Sequence, residues 1–294
     1  MALPRFTKIA AGLAAAALTL SACGSNNSDS SGSTDSASSG SAAAGRTVEQ
    51  IQEDGTIRIG VFSDKAPFGS VDSSGEYAGY DIEYGKRIGE DLGVEVEWVP
   101  VEAAARVEFL ESDKVDVILA NFTVTPERAE KVDFVNPYMQ VSLGVVSPDK
   151  ALITSADQFE GKKLLIVRGT TAESYLDANY PDADIQKYEQ YTEVTSALLD
   201  GRGDAWLTDN TEALAWAKSN PGFTTGITSL GDPDTIAAAV KKGNTSLLDW
   251  LNNELTELAP ENFFHNAYEK TLKPVYGEDV NPDELVVEGG VVKK

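Results

Sequence analysis

The sequence predicts an α/β protein whose largely parallel sheets are divided between two similar lobes. From Thr47 onward, short apolar runs alternate with amphipathic segments. This alternation is typical of parallel strands covered by helices. It runs once through 56–134 and again through 162–220, which favours two lobes over one sheet. The chain has 294 residues, enough for two lobes of ordinary size.

The first run predicts three strands and three helices. The strands are expected at 56–62, 94–101 and 115–120, and the helices at 79–93, 104–112 and 126–134. In the helix at 79–93, Ile82, Ile88 and Leu92 are spaced to face a core, and Gly93 ends it. Each strand is followed by a helix, as a parallel sheet requires.

The second run repeats the pattern and the chain then closes with helices. Strands are expected at 162–169, 185–190, 204–209 and 235–243, and helices at 171–180, 192–201, 211–220, 245–259 and 262–272. Ligands of open parallel sheets bind beyond the carboxyl ends of the strands. Polar residues directly after such strands are therefore candidate site residues.

The N-terminus predicts export and lipidation. In residues 1–22, Arg5 and Lys8 precede an apolar run of about a dozen residues, too short to span a bilayer. The following "LSAC" resembles a bacterial lipobox, in which Cys23 would carry the lipid and become the mature N-terminus. The alternative is an ordinary secretory signal that contains a cysteine. Residues 23–46 are rich in Ser, Gly and Ala, which predicts a flexible tether.

The composition argues against several functions. There are 47 acidic residues against 24 Lys and Arg, and this acidic balance argues against a nucleic-acid partner. Cys23 is the only cysteine, so no intramolecular disulfide is possible, and the only histidine, His265, is expected to pack or lie at the surface. No zinc-ligand spacing, Walker motif or GxGxxG motif occurs. We therefore expect no enzyme, metal or cofactor, although carboxylate chemistry stays possible.

The stretch "NFTVTPER" places hydroxyls, an amide and a guanidinium where a buried strand gives way to a helix. Thr125 suits the N-cap and Pro126 the first helical position. Arg128 does not cap, and the helix dipole opposes a cation in the first turn, so its guanidinium should bind an anion. A carboxylate can accept two parallel hydrogen bonds from it. The alternative is a surface ion pair with Glu127 or Glu130.

The second lobe offers two complementary signals. After a predicted strand, Gly169 turns the chain and a helix begins at Thr170 or Thr171, whose backbone N–H groups could bind an anion. The alternative is a plain strand-to-helix turn. Asp209 follows another apolar strand and either caps the next helix or receives an ammonium group. With Arg128, these features describe a receptor for a zwitterion.

The segments "GEYAGYDIEYGKRIGEDLG" and "NFTVTPERAEKVDFVNPYM" resemble the family 3 extracellular solute-binding proteins, polar amino-acid receptors of ABC importers. The resemblance covers roughly 47–285. It implies a two-lobe type II periplasmic-binding-protein fold, each lobe a mixed, mostly parallel sheet flanked by helices, with two hinge strands. The implied divisions are lobe 1 at 47–141 and 235–283, lobe 2 at 142–234, and a C-terminal tail at 284–294.

The resemblance also implies roles for individual residues. Arg128 would bind the ligand α-carboxylate, helped by Thr123 and the backbone of Asn121. Thr171 would add a backbone N–H from the other lobe, and Asp209 would bind the α-ammonium. The remaining members of the expected ligand-binding set are Lys65, Phe68, Arg106, Phe122 and Thr170.

Two positions depart from the usual family pattern. Lys65 in "SDKAPF" stands where the family often places an aromatic over the ligand, and Ala103 stands where many members carry another. The segments "VEAAARVEFLESDKVDVILANFTVTPERAE" and "GRGDA" look most like the cysteine-binding subgroup, although Thr208 replaces its usual histidine. Arg106, near the side-chain end, also resembles aspartate and glutamate receptors. Cysteine is therefore the first candidate ligand, with glutamate, aspartate and glutamine as alternatives.

These features together predict a monomeric substrate-binding lipoprotein. It would capture a free amino acid outside the cytoplasm, stay anchored to the cell membrane through the Cys23 lipid, and deliver the ligand to an ABC permease and its ATPase. One alternative is an enzyme on the same fold, because some relatives are dehydratases acting on prephenate-like acids. Another is an adhesion lipoprotein without a ligand.

Overall fold

The computed structural model describes residues 45–292. The predicted signal at 1–22, the lipid site Cys23 and nearly all of the predicted tether lie outside the described residues. No helix between 45 and 292 combines the length and the apolar character needed to cross a membrane. In the same range, no group of His, Cys, Asp and Glu side chains could hold a metal ion.

Helices and strands alternate through the middle of the described chain, after the strands of 56–78 and before the closing helices of 245–276. The helices are α1 (Val48–Asp54), α2 (Tyr80–Leu92), α3 (Arg106–Glu111), α4 (Pro126–Ala129), α5 (Thr171–Asn179), α6 (Tyr191–Leu199), α7 (Asn210–Ser219), α8 (Thr245–Leu258), α9 (Phe263–Thr271) and α10 (Lys273–Tyr276). The strands are β1 (Thr56–Val61), β2 (Asp64–Lys65), β3 (Gly69–Val71), β4 (Tyr77–Ala78), β5 (Glu95–Pro100), β6 (Val117–Ile118), β7 (Val132–Pro148), β8 (Lys163–Val167), β9 (Asp184–Tyr188), β10 (Ala205–Asp209) and β11 (Phe223–Lys241).

A mixed sheet of eight strands runs through the molecule in the order β5-β1-β6-β11-β7-β10-β8-β9, and β2, β3 and β4 form a small separate sheet. At one end, β1 pairs in parallel with β5 and β6. At the other end, β8 pairs in parallel with β9 and β10. We call the parts of the molecule built on these two triads the first half and the second half.

The α/β class is confirmed, but the two expected sheets form one continuous ladder. The long strands β7 and β11 pair in antiparallel orientation between the two triads and extend through both halves. The boundaries expected at 141/142 and 234/235 lie inside these strands, where Val141 pairs with Asp234. The register shifts between Leu230 and Asp234, so the ladder is irregular there. The lobe boundaries themselves stay a prediction.

The start of α4 agrees with the sequence and its end does not. Thr125 is the N-cap and its hydroxyl accepts a hydrogen bond from the Arg128 backbone, with Pro126 at the start of the helix. The predicted helix at 126–134 is wrong beyond Ala129, because Val132 already begins β7. Pairing of β7 with β11 outweighs the local helical signal there.

The core consists of three hydrophobic clusters. One fills the first half around Tyr138 and Phe264, whose rings stack with centroids 5.6 Å apart. A second lies in the second half around Leu164 and Leu207. The third contains residues of both halves, with Phe62 among them. The two halves therefore pack directly against each other.

Both ends of the described chain are bound to the first half. The Arg46 guanidinium pairs with the carboxylates of Asp54 and Asp116, and the Asn244 amide donates to the Arg46 carbonyl at 2.9 Å. Near the C-terminus, the Val287 N–H donates to the carbonyl of Tyr138 in β7 at 3.0 Å.

Candidate functional site

Asp81 holds the loop that follows β6. Its carboxylate accepts hydrogen bonds from the Asn121 backbone at 2.8 Å and from the Tyr138 hydroxyl at 2.7 Å. Burial raises the pKa of Asp81 to about 7, although both hydrogen bonds oppose this change. Asn121 adopts a left-handed conformation with φ 44°. The amide of Asn121 is buried and has no hydrogen-bond partner within the described residues.

The loop after β6 is also hydrogen-bonded to β11. The Ala237 N–H donates to the Phe122 carbonyl at 3.1 Å, and the Val124 N–H donates to Thr235 at 2.9 Å. Thr123 lies between these bonds, in a bridge with Ile236, and is buried. Since backbone hydrogen bonds fix the loop on both sides of Thr123, its position is set by the sheet.

Two arginines from the first half meet one carbonyl of the second half. Arg106 donates to the Gly169 carbonyl at 3.0 Å and Arg128 donates to it at 2.8 Å. The Phe122 ring lies beside both, with its centroid 4.3 Å from the Arg106 guanidinium carbon and 4.9 Å from that of Arg128. The Gly169 carbonyl therefore links the two halves directly.

The two guanidinium groups differ in how many donors they have committed. Arg106 is buried and also donates to the carbonyls of Ala103, Ala120 and Asn121, at 2.9, 3.0 and 3.4 Å. Burial and the neighbouring Arg128 lower the pKa of Arg106 to about 9, so it stays charged at neutral pH. Its N–H groups are largely used by the backbone, which leaves little for a second carboxylate.

Arg128 retains more donors. Besides Gly169, it donates to the Thr123 carbonyl at 2.7 Å. Burial lowers its pKa. Within the described residues no ion pair joins its guanidinium to Glu127 or Glu130, although the Glu127 charge raises the pKa of Arg128. A guanidinium has five N–H donors, and a carboxylate can use those that remain.

The Lys65 ammonium lies across the interface from carboxylates of the second half. It contacts Asp209 at 3.0 Å and Glu212 at 3.2 Å, and it donates to the Tyr191 hydroxyl at 3.2 Å. Asp209 is the N-cap residue of α7, but its side chain caps no N–H of that helix. Thr208 donates to Glu212 at 2.6 Å, so the residue in place of the usual histidine positions this second carboxylate.

The charges in this group depend on each other. Burial opposes the charge on Lys65, but the Asp209 and Glu212 carboxylates raise its pKa well above the ordinary value. Burial raises the pKa of Glu212 to about 7, while Lys65 lowers it. Lys65 is therefore charged at neutral pH and Glu212 titrates near neutrality.

The strand-to-helix turn at Gly169 is held by two hydrogen bonds that the sequence did not predict. Gly169 has φ 73° and its N–H donates to the Glu173 carboxylate at 2.6 Å. The Thr170 hydroxyl donates back to the Val167 carbonyl at 2.7 Å and does not cap α5. Thr171 is the first residue of α5, so its N–H group belongs to the uncommitted first turn.

A cavity of about 280 Å³ lies where the two halves meet. The lining comes from three segments, 62–64 and 100–103 in the first half and 189–191 in the second, and it includes Ala103. Arg128 and Asp209 do not line it. Phe68 is fully buried, with its ring centroid 5.7 Å from the Lys65 nitrogen. The lining of this cavity therefore does not include Arg128, Asp209 or Phe68.

Sequence reasoning missed Asp81, Tyr191 and Glu212. Glu212 lies in the first turn of the helix that follows the strand with Thr208 and Asp209, so no helical spacing joins it to Thr208. The contact of Tyr191 with Lys65 spans 126 residues, and no local pattern indicates it. His265 lies on α9, with its ring nitrogens 2.9 Å from Glu288 and 3.2 Å from Asp283.

Comparisons with known proteins agree on one family. The sequence model of the bacterial extracellular solute-binding proteins, family 3, matches residues 57–274. The glutamine-binding protein of an ABC transporter from Bacillus subtilis is 32% identical over 264 residues, which are 88% of this chain and 93% of that protein.

Two solved structures are more similar. The cysteine-binding protein from Campylobacter jejuni has 51% identity and a TM-score of 0.81, over 82% of this chain and 98% of that one. The L-cysteine solute receptor of Neisseria gonorrhoeae has 50% identity and a TM-score of 0.81, over 83% of this chain and 100% of the other.

Proposed function

The chain belongs to family 3 of the bacterial extracellular solute-binding proteins and has their type II periplasmic-binding-protein fold; from this premise we propose that it binds a free polar amino acid, with cysteine as the first candidate. The amino acid is held between the two halves and delivered to the permease and ATPase of an ABC importer. Glutamine, glutamate and aspartate are the alternative ligands.

One observation carries the proposal. Arg128 lies on α4 of the first half and Asp209 ends β10 of the second half, and Arg128 already contacts the second half through the Gly169 carbonyl. A guanidinium that retains several donors suits an α-carboxylate. A carboxylate that caps no helix suits an α-ammonium. A zwitterion that contacts both groups would stabilise the closed arrangement, since it binds that arrangement better than an open one.

The proposed auxiliary contacts surround Arg128. They come from the loop after β6 and from the first turn of α5, and comprise Asn121, Phe122, Thr123, Thr170 and Thr171. Phe122 supports the guanidinium from one side. The buried amide of Asn121 supplies polar atoms without a partner in the described chain. Thr171 supplies a backbone N–H from α5.

Arg106 favours a small side chain over a dicarboxylic one. Four of its hydrogen bonds go to backbone carbonyls. A side-chain carboxylate would have to displace some of them, which costs about 1–3 kcal/mol for each buried group left unpaired. Cysteine makes no such demand. The similarity to two receptors named for cysteine points the same way.

We also propose that the protein binds its ligand without chemical turnover. The only histidine, His265, lies on α9 and contacts the carboxylates of Glu288 and Asp283. Release of product from a prephenate-like acid would contradict this part of the proposal. The protein is further proposed to act outside the cytoplasm as a monomer, held at the membrane through a lipid on Cys23.

The test is thermal unfolding of the purified protein with each amino acid and with cystine. Bound ligand is first removed by unfolding and refolding. A ligand that binds only the folded state stabilises it by about 2.7 kcal/mol at a hundred times its dissociation constant. We expect a large shift with cysteine. A larger shift with glutamate or aspartate would assign Arg106 to a side-chain carboxylate. No shift with any amino acid would refute the proposal.

A further inference from the structure

The Lys65 ammonium is enclosed by groups that bind cations. It contacts two carboxylates and lies within 4.6 to 5.7 Å of the centroids of three aromatic rings. We call this enclosure the cation cage; it is formed by Phe62, Phe68, Tyr191, Asp209 and Glu212. The Lys65 side chain is 1% exposed. The cage is therefore filled by a residue of the chain itself.

Such a cage is suited to a side-chain cation of a ligand. Ring faces within about 6 Å attract ammonium and guanidinium groups, and more strongly where water is excluded. The side chains of Asp209 and Glu212 supply two carboxyl groups, and the Thr208 hydroxyl donates to Glu212 at 2.6 Å. Without Lys65 the cage would be an anionic, aromatic-lined cavity open to a basic side chain.

The cage has two carboxylates, one for Lys65 and one for the α-ammonium of a ligand. Lys65 can remain paired with Glu212 while Asp209 receives the α-ammonium of a ligand. Arg106 and Arg128 add positive charge nearby: burial lowers the pKa of both guanidinium groups, and the Asp209 charge opposes this lowering. A ligand with a second cation would find no further carboxylate in the cage, and a juxtaposed like charge costs several kcal/mol.

From this geometry we propose that Lys65 determines specificity: it occupies a site for a side-chain cation and so restricts the receptor to amino acids whose side chains carry no positive charge, excluding arginine and lysine. The inference deepens the proposed function and rests on it for the identity of the excluded ligands. The observation that Lys65 fills the cage does not depend on which ligand the protein binds.

The first experiment restores the missing cation chemically. Lys65→Ala removes three carbons and the nitrogen, which n-propylammonium matches. We expect n-propylammonium chloride to raise the unfolding midpoint of Lys65→Ala by about 3 °C or more. Sodium chloride at equal ionic strength and 1-propanol should not do so. Lys65→Met is the matched control, because it fills the same space without charge and should not respond. The wild type should not respond either.

The second experiment compares ligands by calorimetry. The wild type should bind arginine and lysine at least about a hundredfold more weakly than its best uncharged amino acid. In Lys65→Ala this ratio should fall at least about tenfold.

Two outcomes would overturn the inference. One is a folded Lys65→Ala variant that is indifferent to n-propylammonium. The other is a wild type that binds arginine or lysine as tightly as an uncharged amino acid, and this measurement decides alone if Lys65→Ala fails to fold. A wild type that binds no amino acid would refute the proposed function, while the n-propylammonium experiment would still test the cage.

Discussion

The two arginines of the site illustrate how residues of one type divide different tasks. Arg106 donates four hydrogen bonds to carbonyls, and Arg128 donates two. Arg106 therefore stabilises the junction of the halves, whereas Arg128 keeps donors for a carboxylate. The sequence alone ranked both as ligand contacts, because the difference lies in backbone carbonyls that no side-chain pattern reveals.

Replacing Arg128 with lysine tests this division. Arg128→Lys keeps the charge but loses the fork that binds a carboxylate through two hydrogen bonds. We expect amino-acid affinity to fall by about 2 kcal/mol, or roughly thirtyfold, because one charge-assisted hydrogen bond is lost. Calorimetric titration measures the change. Arg202→Lys is the control, since Arg202 is half exposed and pairs with Asp200. Equal affinities for both variants would remove Arg128 from the ligand site.

Local chemistry predicted part of the site at this scale. The position of Arg128 in a first helical turn and the position of Asp209 after an apolar strand were sufficient to select them. The pairing of Lys65 with Asp209 joins residues 144 apart in the chain. Only the packing of the two halves brings such residues together, so the sequence could not reveal that Lys65 is itself paired.

At the scale of elements, the turn between β8 and α5 depends on a glycine. Gly169 has φ 73°, and an added Cβ would lie 2.4 Å from the Cα of Ala104 in the other half. We expect Gly169→Ala to lower the free energy of unfolding by about 2–4 kcal/mol, the sum of a left-handed alanine and a steric conflict. Urea unfolding measures the loss. The Gly169→Ala substitution should also weaken amino-acid binding, because the added methyl group forces the two halves apart.

Gly161→Ala is the matched control for that variant. Gly161 has φ 69° with nothing within 4 Å of an added Cβ, so only the conformational cost of about 1–2 kcal/mol applies. The difference between the two variants measures the contact with the first half. If both variants lost the same free energy of unfolding and bound the amino acid with unchanged affinity, the contact of Gly169 with Ala104 would not help to hold the two halves together.

Most short strands and helices were predictable because their apolar spacing faces a single core. Prediction failed for β7, whose 17 residues contribute to both halves and therefore show no single period. The strands of the small sheet are two or three residues long, too short for any period to appear. Continuity of the main sheet also escaped prediction, since it depends on the pairing of β7 with β11.

At the scale of the whole molecule, attachment to the membrane is proposed to depend on Cys23. In Cys23→Ser we expect loss of a metabolic fatty-acid label and a shift of the protein from the membrane to the soluble fraction, because the sulfur that would carry the lipid is gone. Ligand affinity should not change. Ser25→Ala serves as the control and should stay at the membrane. A labelled, membrane-bound Cys23→Ser protein would refute the lipid anchor.

The docking of Arg46 decides which half would stay still. Its guanidinium binds Asp54 and Asp116, and Asn244 holds its carbonyl, so the chain enters the folded region on the first half. If the proposed lipid on Cys23 anchors the chain, the first half is the part held near the membrane. Ligand binding would then move only the second half relative to the membrane. A permease could then recognise a ligand-bound receptor by the position of the second half relative to the first half.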